Sequence, residues 1–256
     1  MQTDRWVDQL IEAVRRRLEP QELTLAEEAS EVSAGYLRKA LGGTRNIMLA
    51  KYLRICENSG LDPAEIFAEV FPIHEEPLDF GVPIPSCPSP PIVRQIRRRI
   101  RQGGEVAIPL PRPWLEWLDT LRYDKPLKAL ELTESTIDFI PLEDAPLALG
   151  VWGSSCRLLS RYEDGFLACL EGLKLSRQQK NWLHEVSLLR RISFMVMSMA
   201  ANYSGALEIS ERASLLCLRR NALDLLGQVL VDQGAFLGYL ERYQEAEGMF
   251  RSALAG

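Results

Sequence analysis

Apolar residues recur at helical spacing through the first 71 residues of the chain. In the first segment they fall on one face, at Trp6, Leu10, Ile11, Val14 and Leu18, which predicts an amphipathic helix. The same period and favourable capping residues predict four more short helices, from about Thr24, over Ser33–Leu41, over Ile47–Ser59 and from Asp62 to Phe71. Residues 1–71 are therefore predicted to form a compact helical domain.

Proline interrupts this pattern between residues 72 and 112. Ten of the fifteen prolines lie between Pro72 and Pro113, and proline disrupts both helices and central strands. We predict a linker over residues 72–112, with a basic helical island at 92–102 that holds five arginines and no acid. The island fits two interpretations. It is an auxiliary nucleic-acid arm, or it is an amphipathic helix that docks on a neighbouring domain or a second subunit through Ile92, Val93, Ile96 and Ile100.

From residue 113 to residue 256 the helical pattern repeats itself. Four tyrosines, Tyr123, Tyr162, Tyr203 and Tyr243, are separated by 39, 41 and 40 residues. Proline or a small residue follows each tyrosine by three positions, and the last three repeats have another small residue seven positions further on, which gives Pro126, Gly165, Ala206, Ala246, Gly172, Ala213 and Ala253. A fixed period with small residues at fixed offsets predicts pairs of antiparallel helices packed side by side. The predicted fold class is all-α.

A basic stretch in the N-terminal domain is the main candidate for binding chemistry. Between Ser33 and Arg54 the chain has five basic residues and no acid. The helix predicted over Ser33–Leu41 is closed by two glycines and followed by Thr44, Arg45 and Asn46. The start of such a helix can enter a DNA major groove, while the turn after it contacts phosphates.

The same region carries a family pattern, in Val32, Ser33, Tyr36, Leu37, Leu41 and Gly43 and in the later apolar run Leu49, Tyr52, Leu53, Ile55, Leu61, Ile66 and Phe67. With these residues, the stretch from Leu23 to Phe71 resembles the helix-turn-helix of the Xre/Cro repressor family. The resemblance implies that bases are faced by Ser33, Ala34, Gly35 and Arg38, and that phosphates are held by Lys39, Thr44, Arg45 and Asn46. Ser30 or Glu31 stands where the family has a glycine, and the nearby acids Glu27 and Glu28 would lie close to the duplex.

The repeats carry a second family pattern. It is clearest in two places, at Leu149, Trp152, Gly153, Tyr162, Gly165 and Leu173, and at Leu230, Gly234, Leu237, Tyr243, Ala246, Phe250, Ala253 and Leu254. Residues 113–256 thereby resemble the tetratricopeptide repeat family, although their period of about 40 exceeds the 34 of that family. The match is weaker where Phe194 replaces a small residue, and weakest around Trp114–Thr133. The resemblance implies that the repeats bind a protein or peptide partner.

Composition narrows the remaining classes of function. A hydrophobic content of 46%, a charged content of 25% and a net charge of −5 are ordinary for a globular protein and argue against indiscriminate coating of nucleic acid. The five cysteines are widely spaced without a CxxC pair, which favours buried reduced thiols over disulfides or a zinc site. Acids and arginines interrupt any signal peptide, and no apolar run approaches the length of a membrane span. We expect a cytoplasmic protein with no membrane partner.

Motifs that carry catalytic chemistry are not found in the sequence. The chain has two histidines, His74 and His184, and neither lies in a metal or catalytic motif. It contains no GxSxG, HExxH, Walker or GxGxxG motif. We therefore expect a non-enzyme, with no cofactor, no metal and no catalytic residue.

Two hypotheses remain open. In the first, the chain is a sequence-specific DNA-binding transcriptional regulator, and its helical repeats bind a protein or peptide partner or mediate dimerisation. In the second, it is an interaction scaffold built on helical repeats, and the acid-rich second helix marks a domain that does not bind DNA. Because no polar capping helix follows the last repeat, five apolar residues there are expected to be partly open to a partner or a second copy: Leu230, Leu237, Tyr239, Leu240 and Phe250.

Overall fold

The computed structural model describes residues 80–103 and 108–254, together with nine isolated positions between Ala13 and Ile66. Within these residues every regular element is a helix, which confirms the predicted all-α class for this part of the chain. The helices predicted within residues 1–71 lie almost entirely outside the described residues.

Nine α-helices follow one another along the described ranges. Their bounds are α1 Pro91–Arg101, α2 Arg112–Asp124, α3 Pro126–Thr136, α4 Ala145–Leu158, α5 Tyr162–Gln178, α6 Trp182–Ala200, α7 Tyr203–Arg219, α8 Leu223–Tyr239 and α9 Tyr243–Leu254. Two short 3-10 turns, Ile137–Phe139 and Leu142–Asp144, separate α3 from α4. The chain forms two compact units, residues 79–213 and residues 1–78 with 214–256, so that the boundary falls inside α7.

Helix α4 lies at the centre of the 79–213 unit. It packs against α2, α3, α5 and α6, and a helix that is apolar on all sides is expected to be buried in this way. Its Trp152 is fully buried and donates from Nε1 to the Glu134 carboxylate over 2.9 Å. Helix α2 contacts α4, and α4 contacts α6, so these three alternate helices lie side by side. Helix α3 packs against α2 and α4, and α5 packs against α4 and α6.

The basic helix α1 packs into the same unit through its apolar face. Ile92, Val93 and Ile96 are buried in the core cluster that contains Trp152. Arg99 is buried as well and donates to the carbonyl oxygens of Ile137 and Ile140, while Arg97 pairs with the buried Glu171 carboxylate of α5 over 2.6 Å. The interpretation of the island as a docking amphipathic helix agrees with this packing, although the fourth apolar residue, Ile100, stays 41% exposed.

The repeated tyrosines do not all occupy one structural position. Tyr162, Tyr203 and Tyr243 are the first residues of α5, α7 and α9, whereas Tyr123 lies in the last turn of α2. The alignment of Tyr123 with the other three is therefore wrong by the length of a turn, because α3 begins only at Pro126.

Glycines allow α4 and α5 to approach closely. A Cβ atom added at Gly165 would lie 2.6 Å from the carbonyl oxygen of Gly153, and one added at Gly153 would lie 2.8 Å from the carbonyl oxygen of Gly165. Both distances are far below van der Waals contact, so the two backbones touch here. Gly165 is one of the small residues found at a fixed offset from the repeated tyrosines, and this close approach of the two helices explains why a small residue is needed there.

The apolar residues expected to be open near the end of the sequence are only partly exposed. Leu230 and Leu237 of α8 are buried, at 6% and 2% exposure, so the expectation that they are open is wrong. They belong to the buried apolar stripe of α8, which also contains Leu226. Tyr239 and Phe250 are exposed as expected, at 60% and 40%. A largely apolar groove of about 460 Å³ lies between α8 and α9 and is lined by Leu223, Gly227, Val231, Phe250, Ala253 and Leu254, together with the polar Asp224 and Gln228.

Four turns between helices share one backbone geometry. Ser160, Lys180, Asn221 and Glu241 have positive φ angles of 59°, 54°, 50° and 59°. The amide after each of them donates to a carbonyl five residues earlier, as from Arg161 to Cys156 over 2.8 Å. This bond is typical of the Schellman motif, which usually places glycine at the positive-φ position. The turn between α6 and α7 also has a non-glycine residue with positive φ, Ala201 at 49°.

Replacing Ala201 with glycine is expected to stabilise the 79–213 unit by about 1 kcal/mol, since the left-handed conformation costs an L-residue about 1–2 kcal/mol and glycine loses part of that gain to entropy. Ala201 is exposed, so little packing is lost. Urea denaturation followed by tryptophan emission measures this unit, because four of the five tryptophans lie in residues 79–213. The control, Ala200→Gly, lies in the helix next to it and is expected to destabilise. A loss of stability in both variants would contradict the prediction.

Candidate functional site

The residues predicted to bind DNA lie outside the described residues. They are Ser33, Ala34, Gly35, Arg38, Lys39, Thr44, Arg45 and Asn46. Of the N-terminal 71 residues the structure describes nine, among which Ala13, Cys56 and Ile66 are buried. The predicted DNA contacts therefore stay predictions.

Within the described residues, no group of three or more His, Cys, Asp or Glu side chains is placed to hold a metal ion. No helix of the described ranges is both long and apolar enough to cross a membrane. The structure describes all five cysteines, none of them in a disulfide bond, and all but Cys87 are buried. His184 is buried near Arg112, and burial followed by the charge of Arg112 lowers the pKa of its imidazole. His184 is therefore neutral near pH 7.

A cluster of arginines crosses the three side-by-side helices α2, α4 and α6. Arg122 comes from α2, Arg157 from α4 and Arg191 from α6, and the acid that pairs within this group is Asp119 of α2. We call these four residues the arginine cluster. Sequence reasoning did not single out any of them, because Arg157 and Arg191 join Asp119 and Arg122 only from other helices.

Asp119 is the anion on which two of the arginines converge. The Arg191 guanidinium binds it in two places, with Nη1 2.9 Å from Oδ1 and Nη2 3.0 Å from Oδ2. Arg122 Nε lies 2.6 Å from Oδ1. Burial by itself opposes ionisation of Asp119, but the charges and hydrogen bonds of Arg191 and Arg122 outweigh it and hold the pKa of this carboxyl below its usual value. Asp119 is therefore ionised and already neutralised by its neighbours.

Arg191 reaches Asp119 by crossing α4. Its Nη1 donates to Ser154 Oγ over 2.7 Å on the way. A Cβ atom at Gly150 would lie 3.1 Å from both Cδ and Nε of Arg191, so the missing side chain of Gly150 leaves the space in which the arginine lies. Gly150 and Ser154 are one helical turn apart on α4, and these two small residues form the passage.

Arg157 has a different environment from the other two arginines. Its guanidinium carbon lies 5.5 Å from the ring centroid of Phe194, and the side chain is half-buried. No ion pair of the described residues includes Arg157. Burial, and then repulsion from Arg122 and Arg191, lower the pKa of its guanidinium. Because arginine stays protonated even so, Arg157 holds a positive charge that no neighbouring acid compensates.

The residues around the cluster do not supply the missing negative charge. Cys169 is fully buried close to the three arginines, but burial raises the pKa of its thiol to about 12, and Cys169 is therefore neutral. Tyr123 lies at the rim with 66% of its surface exposed, and its hydroxyl oxygen accepts a hydrogen bond from Arg122 over 2.8 Å. The arginine cluster thus has three cations and one anion, with aromatic rings beside two of the cations.

One part of this site has a signal in the sequence. Asp119 and Arg122 are three residues apart on a predicted helix, and oppositely charged residues at that spacing face each other. The contact between Asp119 and Arg191 joins residues 72 positions apart, and no local pattern marks it.

No protein-family model, no curated protein and no solved structure matches this chain. The resemblances to the Xre/Cro and tetratricopeptide families consequently rest on the residues quoted for them.

Proposed function

We propose that this protein is a sequence-specific DNA-binding regulator of transcription, acting in the cytoplasm, whose helical repeats bind a protein or peptide partner. The observation that carries the partner-binding part is the arginine cluster of three adjacent helices, in which the half-buried Arg157 has a positive charge that no neighbouring acid compensates. The DNA-binding part is supported by the basic stretch from Ser33 to Arg54 and by its resemblance to the Xre/Cro helix-turn-helix.

The chemistry of the arginine cluster favours binding over catalysis. Guanidinium groups do not lose their protons near neutral pH, and Asp119 is held ionised by two of them. Neither type of group can exchange a proton with a substrate under those conditions. Charge-assisted hydrogen bonds from arginine are, in contrast, among the strongest polar contacts that a protein offers to an anion.

DNA binding is tested by fluorescence anisotropy of the full chain with labelled duplex from upstream of its own gene, at several salt concentrations. We expect the logarithm of affinity to fall by about 0.9 per contacted phosphate for each unit of log salt concentration. The double variant Arg38→Ala/Lys39→Ala is expected to lose at least tenfold in affinity, since it removes one base contact and one phosphate contact.

A matched control removes two positive charges elsewhere. Arg98 and Arg101 are exposed on α1, and Arg98→Ala/Arg101→Ala changes the net charge equally. Unchanged affinity in this control assigns binding to the N-terminal helix. An equal loss in both double variants would show that the basic surface of α1 contributes to binding as much as the N-terminal helix does.

The second candidate function is an interaction scaffold that does not bind DNA. The observation that favours it is the acidic run Glu27, Glu28 and Glu31 immediately before the basic helix, because these carboxylates would repel a duplex. Absence of binding to the upstream duplex and to every fragment of a genomic pool would leave the scaffold function in place of the first.

A further inference from the structure

Arg157 is the member of the arginine cluster that is ready to bind an additional group. Arg122 and Arg191 are oriented by Asp119, whereas Arg157 is oriented by the ring of Phe194. A guanidinium in contact with a ring keeps its N–H groups available at its edge, and these can bind both oxygens of a carboxylate. Holding a half-buried cation without an anion is unfavourable, so a bound anion would compensate the charge of Arg157.

The size of the charge indicates what the anion is. Since Asp119 occupies Arg122 and Arg191, one arginine is left without a partner, which fits a single negative charge better than a doubly charged phosphate group. The half-buried ring of Phe194 adds apolar surface beside this charge, and the exposed ring of Tyr123 lies beside Arg122 of the same cluster. A carboxylate flanked by apolar groups is the chemistry of an Asp or Glu side chain in a peptide.

The charge of the whole unit argues against nucleic acid at this site. Residues 79–213 contain 17 Lys and Arg against 16 Asp and Glu, so this unit is close to neutral. A groove that follows a nucleic-acid backbone needs an extended basic surface. The arginine cluster instead has one uncompensated positive charge, that of Arg157, between α2, α4 and α6.

We propose that Arg157, with Phe194 beside it and Tyr123 beside Arg122 of the same cluster, binds the carboxylate of an Asp or Glu side chain in an acidic peptide segment of the partner protein. This inference rests on the proposed function of the helical repeats, and it specifies which side chain of the partner they recognise. Asp119 is not displaced, because its two arginines hold it in place.

The experiment is an affinity selection of synthetic decapeptides, randomised at every position, on the immobilised full chain. Half of the library carries a C-terminal amide, which separates a side-chain carboxylate from the main-chain one. Asp or Glu is expected at one enriched position in both halves. The most enriched peptide is then synthesised with fluorescein, and its affinity is measured by anisotropy.

Arg157→Gln is expected to weaken binding of that peptide about 10- to 100-fold, the effect of one charge-assisted hydrogen-bonded pair. Replacing the enriched acid of the peptide with its amide is expected to give the same loss, and the two changes together no further loss. The matched control is Arg98→Gln, which removes an exposed arginine of α1 and is expected to leave affinity unchanged. Tryptophan emission during urea denaturation checks that Arg157→Gln folds, and its midpoint is expected to stay equal or to rise because a repelling cation is gone.

Other outcomes overturn the inference in distinguishable ways. Enriched peptides without an acidic position, or an affinity insensitive to Arg157→Gln, contradict the carboxylate site while the partner-binding function stands. Enrichment limited to peptides with a free C-terminus assigns the main-chain carboxylate and overturns the side-chain proposal. Displacement of the peptide by polyuridylate in the native chain but not in Arg157→Gln assigns the site to RNA. If no peptide is enriched, the partner-binding function fails together with this inference.

Discussion

Asp119→Asn is expected to destabilise the 79–213 unit by about 3 kcal/mol, near the lower end of the range for removing one partner of a buried ion pair. The variant leaves Arg122, Arg157 and Arg191 without a nearby anion. Arg191 suffers most, because its side chain is 11% exposed and its two-point contact with the carboxylate is lost. The asparagine oxygen can accept a hydrogen bond but carries no charge. Urea denaturation followed by tryptophan emission measures the free energy of unfolding.

The matched control is a carboxylate whose ion pair is exposed. Glu131 of α3 lies 3.8 Å from Lys128, and both side chains are more than half exposed. Glu131→Gln is expected to change stability by less than about 0.5 kcal/mol, as exposed ion pairs contribute little. Equal effects of the two substitutions would mean that Asp119 is not holding the arginines together.

The contribution of Asp119 has a defined dependence on pH. Its pKa in the folded chain lies below the ordinary value of 3.8, because Arg191 and Arg122 outweigh the cost of burial. A depressed folded-state pKa stabilises the protein above the unfolded pKa, and this contribution is lost as the pH falls through the folded value. The stability difference between the native chain and Asp119→Asn is therefore expected to be full at pH 7 and to shrink below about pH 4. A difference that stays constant down to pH 2.5 would contradict this.

How far the sequence predicts this structure depends on the distance over which each feature acts. Helices are encoded in short windows, and for this reason the repeat spacing already indicates paired helices and the small residue Gly165 lies where α4 and α5 touch. The contact between Asp119 and Arg191 depends on how three helices lie beside one another. Periodicity within a helix reports which face is buried, but it does not report which residue on the next helix is opposite.

The basic helix α1 shows the same limit for charged residues. Five arginines without an acid are typical of a solvent-exposed or nucleic-acid-binding helix, and the apolar spacing of Ile92 and Ile96 alone favoured docking. The structure buries Arg99 because the carbonyl groups of Ile137 and Ile140, at the 3-10 turn after α3, accept its hydrogen bonds. Those acceptors lie about forty residues away in the sequence. Helical spacing places Arg99, but not Arg98, on the face of Ile92 and Ile96, yet nothing within the helix shows that acceptors for a buried guanidinium lie opposite that face.

Gly165→Ala is expected to destabilise the same unit by about 2 kcal/mol, although alanine is the better helix former. Overpacking against backbone costs about 3 kcal/mol, and the gain in helix propensity returns about 1 kcal/mol of that loss. The added methyl group would lie 2.6 Å from the Gly153 carbonyl oxygen and 2.7 Å from Met195 Cε. Met195 can rotate away, but the carbonyl cannot move unless α4 and α5 separate. Urea denaturation followed by tryptophan emission again gives the free energy.

Two further variants separate this clash from helix propensity. Gly238→Ala in α8 places a methyl group with no heavy atom within 4 Å, so it is expected to slow hydrogen exchange of α8 amides through propensity alone. Gly153→Ala meets the Gly165 carbonyl from the opposite side, at 2.8 Å, and also Cys169 Sγ at 2.6 Å. One separation of α4 from α5 relieves both carbonyl contacts, so Gly153→Ala/Gly165→Ala is expected to cost less than the sum of the single variants. Additive costs would place the two clashes in independent parts of the helix pair, and a stabilised Gly165→Ala would show that the two backbones do not touch.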